Sequence, residues 1–139
     1  MEAARALGAE AVFDHYAEDF STRVRTLTEG RGVDIVVEHV GEATWDRSVR
    51  SLARGGRLVT CGTTTGHHAA IDLRHLFARQ LSLLGTYMGR KPELRLAAAL
   101  FFEGKLTPVI DTVMPLADAR AAHERLEAGQ QFGKIVVVP

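Results

Sequence analysis

Three short stretches of this 139-residue chain carry the residue types from which a ligand site is built. They are His39-Val40-Gly41, Cys61-Gly62-Thr63-Thr64-Thr65-Gly66 and Gly85-Thr86-Tyr87-Met88-Gly89. Each follows a run of β-prone residues. Gly41, Gly62 and Gly89 let a ligand approach the backbone closely. The threonines offer hydroxyls, and Tyr87 and Met88 offer apolar area. Together they suit a nucleotide crevice, although ordinary strand-to-helix turns favour the same residues. No GxGxxG phosphate loop occurs in the chain, so the pieces amount to half of such a site.

Other candidates are weaker. Cys61, His67, His68, Asp72 and His75 are metal-capable types, but their spacing matches no zinc pattern, and no metal site is expected. Cys61 is expected to pack as a small hydrophobe, because no positioned base accompanies it as a nucleophile. No catalytic residue is assigned. Gly129–Ile135 fails as a P-loop: it has the wrong glycine spacing, lacks a hydroxyl after Lys134 and precedes a strand. Lys134 is left as a candidate phosphate contact or a solvated side chain. Glu38-His39 reads either as a cofactor contact or as a polar strand terminus.

These residues must be positioned by alternating elements. A helix over 2–7 stops at Gly8. "AVF" (11–13) reads as a short strand. Phe20, Val24 and Leu27 mark a helix over 18–29. "VDIVVEHV" (33–40) is a β-branched run of the kind found in strands covered on both faces. A helix over 43–54 carries Trp45, Val49, Leu52 and Ala53 on one stripe, and Gly55-Gly56 turns the chain into a strand at 57–62. Asp72 caps a helix over 72–79, followed by a strand at 81–87. Alternation of this kind predicts a parallel α/β sheet. Beyond residue 90 a helix (92–103), an extended segment (108–116), a helix (117–128) and a strand (134–139) follow.

Bulk composition narrows the function classes. The chain is 46% hydrophobic and 24% charged, so it can bury a core. Seventeen basic side chains balance seventeen acidic ones, which argues against nucleic acid or an anionic membrane as partner. A single cysteine allows no internal disulfide. No membrane span or signal peptide is evident, so a cytoplasmic location is expected. Asparagine is absent and arginine far outnumbers lysine, which fits a thermophile or a codon bias equally.

In order, "ALGAEAVFDHYAEDF" (6–20), "TEGRGVDIVVEHVG" (28–41), "GGRLVTCGTTTG" (55–66), "LLGTYMG" (83–89) and "EGKLTPVIDTVMPLADARAAHERLEAGQQFGKIVVVP" (103–139) resemble the C-terminal half of zinc-type medium-chain dehydrogenases, of the alcohol dehydrogenase and quinone oxidoreductase superfamily. The resemblance covers essentially the whole chain. It implies a partial Rossmann-type parallel sheet, equivalent to strands 3–6, with helices on both faces and a C-terminal β-α-β return. The dinucleotide-binding part would span 1–104, and 105–139 would rejoin a catalytic domain. NAD or NADP would lie with its adenosine side by Val40 and Gly41 and its nicotinamide-side ribose by Gly62, Thr63 and Thr64. Thr86, Tyr87 and Met88 would approach the nicotinamide, and Lys134 the far edge of the cleft.

The same resemblance places strands 1 and 2, the pyrophosphate loop and any zinc ligands before residue 1. The chain is therefore expected to be part of an oxidoreductase acting on an alcohol or carbonyl, inactive alone and completed by an upstream half. Alternatives are a zinc-free quinone or enoyl reductase branch, or a non-catalytic dimerising or nucleotide-binding module. A homodimer would form through strand 81–87.

Overall fold

The computed structural model describes residues 2–139. They form two compact units, the first ending at Met88 and the second comprising Gly89–Pro139.

The first unit opens with α1 (Glu2–Ala6), and Gly8 beyond it takes φ +97°, as a helix-terminating glycine does. In α2 (Phe20–Leu27) the Asp19 carboxylate accepts from the Ser21 amide at 2.9 Å, capping the first turn. Next come β1 (Val33–Glu38), α3 (Trp45–Ser51), β2 (Leu52–Thr60), α4 (Leu73–Ala78) and β3 (Ser82–Gly85). Asp72 caps α4 by accepting from the Arg74 amide at 2.9 Å, as its position predicts.

The three strands make one parallel sheet in the order β1-β2-β3. Its register sets Val36 beside Leu58 and Leu58 beside Leu83. Alternation puts this row on one face. Leu52 and Leu58 are fully buried on that side, packed with Val49, Val36, Trp45, Ile71, Leu81 and Leu83. The next row, Val37-Val59-Leu84, occupies the opposite face, where Val37 is 69% exposed and Leu84 47%.

Three sequence-based expectations change here. "AVF" (11–13) forms no strand. A strand exists only by pairing, and β1 pairs with β2 alone among the described residues. Leu52 and Ala53, expected on a helix, open β2 instead: Leu52 has φ −68° and ψ 140°, and pairs with Val33. The register then slips between Val33 and Ile35, which absorbs the Gly55-Gly56 pair inside the strand. Finally, the β-branched run of β1 is covered on one face within this unit, with Ile35 and Val37 exposed. β-branching selects the extended backbone, not the number of layers packed upon it.

Arg25 ties the frame together. Its guanidinium donates to the carbonyls of Gly30 (2.7 Å), Arg31 (2.9 Å), Arg50 (2.8 Å) and Leu52 (2.9 Å). It thereby satisfies chain ends after α2 and α3 that have no helical partner. Arg47 likewise donates to the His15 carbonyl at 2.7 Å and stacks over Phe20.

The second unit contains α5 (Lys91–Phe102), β4 (Ile110–Pro115), α6 (Ala119–Glu127) and β5 (Lys134–Val138). β4 and β5 pair in parallel across α6, as the C-terminal β-α-β return implied by the resemblance has it. Asp111 on β4 receives the Arg125 guanidinium of α6 (2.9 and 3.2 Å) and the Phe132 amide (3.0 Å). Those hydrogen bonds hold its carboxyl below the usual value of 3.8.

Candidate functional site

Because β1, β2 and β3 are parallel and adjacent, their carboxyl ends lie side by side. The last register row is Glu38-Thr60-Gly85. The three stretches singled out by residue type leave the sheet immediately beyond this row. Crevices outside such strand ends are where ligands bind in parallel sheets.

The first two loops are locked to each other through backbone. The Cys61 amide donates to the Glu38 carbonyl at 3.1 Å. The Thr65 amide and hydroxyl both donate to the Val40 carbonyl at 2.8 Å. The Thr65 hydroxyl also accepts from the Ala43 amide at 3.1 Å, and the Glu42 amide donates to the Gly66 carbonyl at 3.3 Å. Two glycines make this approach possible. Gly41 has φ +95°, and a Cβ there would lie 2.5 Å from the Gly66 carbonyl and 3.1 Å from Thr63 Cα. A Cβ on Gly62 would lie 2.7 Å from the His39 carbonyl. Both glycines thus serve the contact between loops.

Among the threonines, Thr64 donates its hydroxyl to the His39 carbonyl at 3.3 Å, while Thr63 is exposed. Thr86 continues the ladder, its amide donating to the Thr60 carbonyl at 3.0 Å. Tyr87 and Met88 then stand 88% and 82% exposed, Met88 with φ +45°. Lys134 belongs to the second unit, where it opens β5 and its amide donates to the Val109 carbonyl at 2.8 Å. Cys61, expected to pack as a small hydrophobe, is exposed. It follows the last paired residue of β2, so no helix covers it.

Glu38 ends β1, as the polar-terminus reading has it, but it is not solvated there. It is 3% exposed, with its carboxylate turned into the protein. One oxygen accepts from the amides of Val40 (2.7 Å) and Gly41 (3.1 Å). The Thr44 hydroxyl reaches both oxygens at 3.0 Å, and the Ser48 hydroxyl donates to the second. Burial pushes this carboxyl up. The hydrogen bonds from Ser48, Gly41, Val40 and Thr44 outweigh it and hold Glu38 below its usual 4.5. The spacing Glu38, Thr44, Ser48 was the only signal for this in the sequence, and it shows only once the turn brings α3 back over β1.

A separate cavity of about 740 Å³ lies between the start of α3 and residues 68–72, lined by Glu42, Trp45, Asp46, His68, Ile71 and Asp72 among others. It includes none of the strand-end residues named above. Among the described residues, no three or more His, Cys, Asp or Glu side chains come together to hold a metal ion. Nor is any described helix long and apolar enough to cross a membrane.

Residues 7–137 match the model of the family described as zinc-binding dehydrogenase. Quinone oxidoreductase 1 of Escherichia coli is 31% identical over 95% of this chain, which covers 44% of that protein. A crystal structure of an NAD-dependent alcohol dehydrogenase superposes with a TM-score of 0.86 at 37% identity, covering 99% of this chain and 40% of the other. A 2-octenoyl-CoA carboxylase reductase solved with NADP and 2-octenoyl-CoA gives a TM-score of 0.83 at 31% identity, covering 98% and 34%. The chain spans less than half the length of the curated relatives it resembles, 44% of the Escherichia coli protein and 34% of the crotonyl-CoA reductases of Streptomyces. With a family match over nearly its whole length and a parallel α/β fold to go with it, this chain belongs to the zinc-binding dehydrogenase family.

Proposed function

We propose that this chain supplies the nicotinamide-side part of a dinucleotide site in an NAD(P)-dependent oxidoreductase. The reaction is hydride transfer between the nicotinamide and an alcohol or carbonyl, with a quinone or activated alkene as the alternative substrate class. The observation that carries the reading is the row Glu38-Thr60-Gly85, which brings three glycine- and hydroxyl-bearing loops to one sheet edge. The bound NADP of the carboxylase reductase relative supports it.

On this reading Val40 and Gly41 border the adenosine side. Gly62, Thr63 and Thr64 lie along the nicotinamide-side ribose, and Thr86, Tyr87 and Met88 meet the nicotinamide. Gly85 has nothing within 4 Å of where a Cβ would stand, which leaves its backbone open to a ligand. The cofactor supplies the hydride chemistry. These residues bind and orient it, and Tyr87 and Met88 offer the apolar surface that excludes water. Pyrophosphate recognition and the substrate pocket are assigned to an upstream half, as is zinc if this branch uses it.

NADH fluorescence titration of the chain tests the reading. Micromolar binding in the presence of an N-terminal half, abolished by Gly62→Val, is expected; no binding at millimolar NADH with that half present overturns it. Recovery of reductase activity on adding an N-terminal half tests the division of labour. A second reading, a dimerising module without catalysis, draws on the outer edge of β3, which has no ladder partner among the described residues. Sedimentation analysis with and without Leu84→Lys separates it from the first.

A further inference from the structure

We infer that Glu38 is a positioning residue for the dinucleotide crevice, setting the shape of two of its three loops from beneath; the inference rests on the function proposed above. Its carboxylate is buried and engaged by the Val40 and Gly41 amides and by the Thr44 and Ser48 hydroxyls, so it does not reach a ligand. What it holds are the two residues, Val40 and Gly41, at the rim of the first loop.

The effect continues into the second loop. The Val40 carbonyl, fixed by this turn, receives both donors of Thr65 at 2.8 Å. Gly41 packs so closely on Gly66 and Thr63 that a methyl group would not fit between them. The Glu38 carbonyl itself takes the Cys61 amide. The side chain therefore holds the turn at Val40 and Gly41, whose backbone in turn binds the loop from 61 to 66, and Thr44 and Ser48 tie that turn to the start of α3. Placing a ligand-binding backbone accurately depends on such supporting contacts.

The test uses the whole chain and three variants. Glu38→Ala leaves the Val40 and Gly41 amides without their acceptor. Glu38→Gln keeps reach: its amide oxygen still accepts from both amides, and its NH2 donates to the hydroxyls of Thr44 and Ser48, which also act as acceptors. NADH affinity is expected to fall by about tenfold or more in Glu38→Ala, the scale of a lost buried donor contact. Glu38→Gln should restore it to within about threefold, and a purely charge-based role would not allow that rescue. Amide hydrogen exchange is read in parallel. Val40, Gly41 and Thr65 should exchange faster in Glu38→Ala and at the wild-type rate in Glu38→Gln, with Leu58 and Leu83 unchanged.

Wild-type affinity in Glu38→Ala, or equal loss in Ala and Gln, overturns the inference. If the wild-type chain binds no dinucleotide even with an N-terminal half present, the proposed function fails by itself. The exchange rates at Val40, Gly41 and Thr65 still judge Glu38: acceleration reversed by Gln supports its hold on the loops, and unaltered rates refute it. Should Glu38→Ala not fold, Ser48→Ala removes a single hydroxyl donor. It must then raise exchange at Val40 and Gly41, or the inference falls.

Discussion

Gly41→Ala and Gly55→Ala are expected to differ in cost although both glycines have positive φ, +95° and +74°. An alanine forced into such backbone costs about 1–2 kcal/mol. At Gly55 that is the whole penalty, because nothing lies within 4 Å of the new Cβ. At Gly41 the Cβ falls 2.5 Å from the Gly66 carbonyl oxygen and 3.1 Å from Thr63 Cα. Both are backbone atoms, so relief requires the two loops to separate. Overpacking of this kind costs a further ~1–3 kcal/mol. Gly41→Ala should therefore destabilise by about 2–5 kcal/mol and Gly55→Ala by about 1–2 kcal/mol. Urea denaturation of the two variants and the parent, followed by Trp45 fluorescence, reads both values. NADH titration should show weakened binding for Gly41→Ala alone. Equal destabilisation by the two substitutions would refute the backbone contact between the loops, and with it the crevice rim.

Other outcomes follow from the same geometry. Glu38 is held below its usual 4.5, so its contribution is complete above about pH 4.5 and is lost as pH falls through the lower folded-state value. Acid titration of stability should accordingly be shallower in Glu38→Gln than in the parent below pH 4.5, measured by urea midpoints from pH 6 downward. Arg25→Lys gives up the planar fork that serves four carbonyls and should cost about 1–3 kcal/mol by thermal denaturation. Leu58→Ala empties a fully buried position and should cost about 2–5 kcal/mol, whereas Val37→Ala on the exposed face should stay within about 0.5 kcal/mol. Cys61 should react with a disulfide reagent in the native chain as fast as in urea; a strongly protected thiol would contradict its exposure.

Residue order alone fixed the alternation of strands and helices, the helix cap at Asp72 and the glycine stop at Gly8. Each depends on a few neighbouring residues: a β-branched run, a capping carboxylate, a backbone that tolerates positive φ. The glycine- and threonine-bearing strand ends were legible for the same reason. Tertiary structure decided what depends on partners distant in the chain. "AVF" has strand-forming residues and no neighbour to pair with. Leu52 and Ala53 continue a helical stripe by spacing, yet pairing with Val33 draws them into β2. The hydroxyls of Thr64 and Thr65 reach across to the carbonyls of His39 and Val40, a pairing between loops that residue types do not show. Glu38 looked like a polar residue at the end of a strand. Only the fold, by turning Thr44 and Ser48 of the following segment back over it, made it the buried anchor of the crevice: four donors separated along the chain converge on one carboxylate, and spacing alone does not specify convergence.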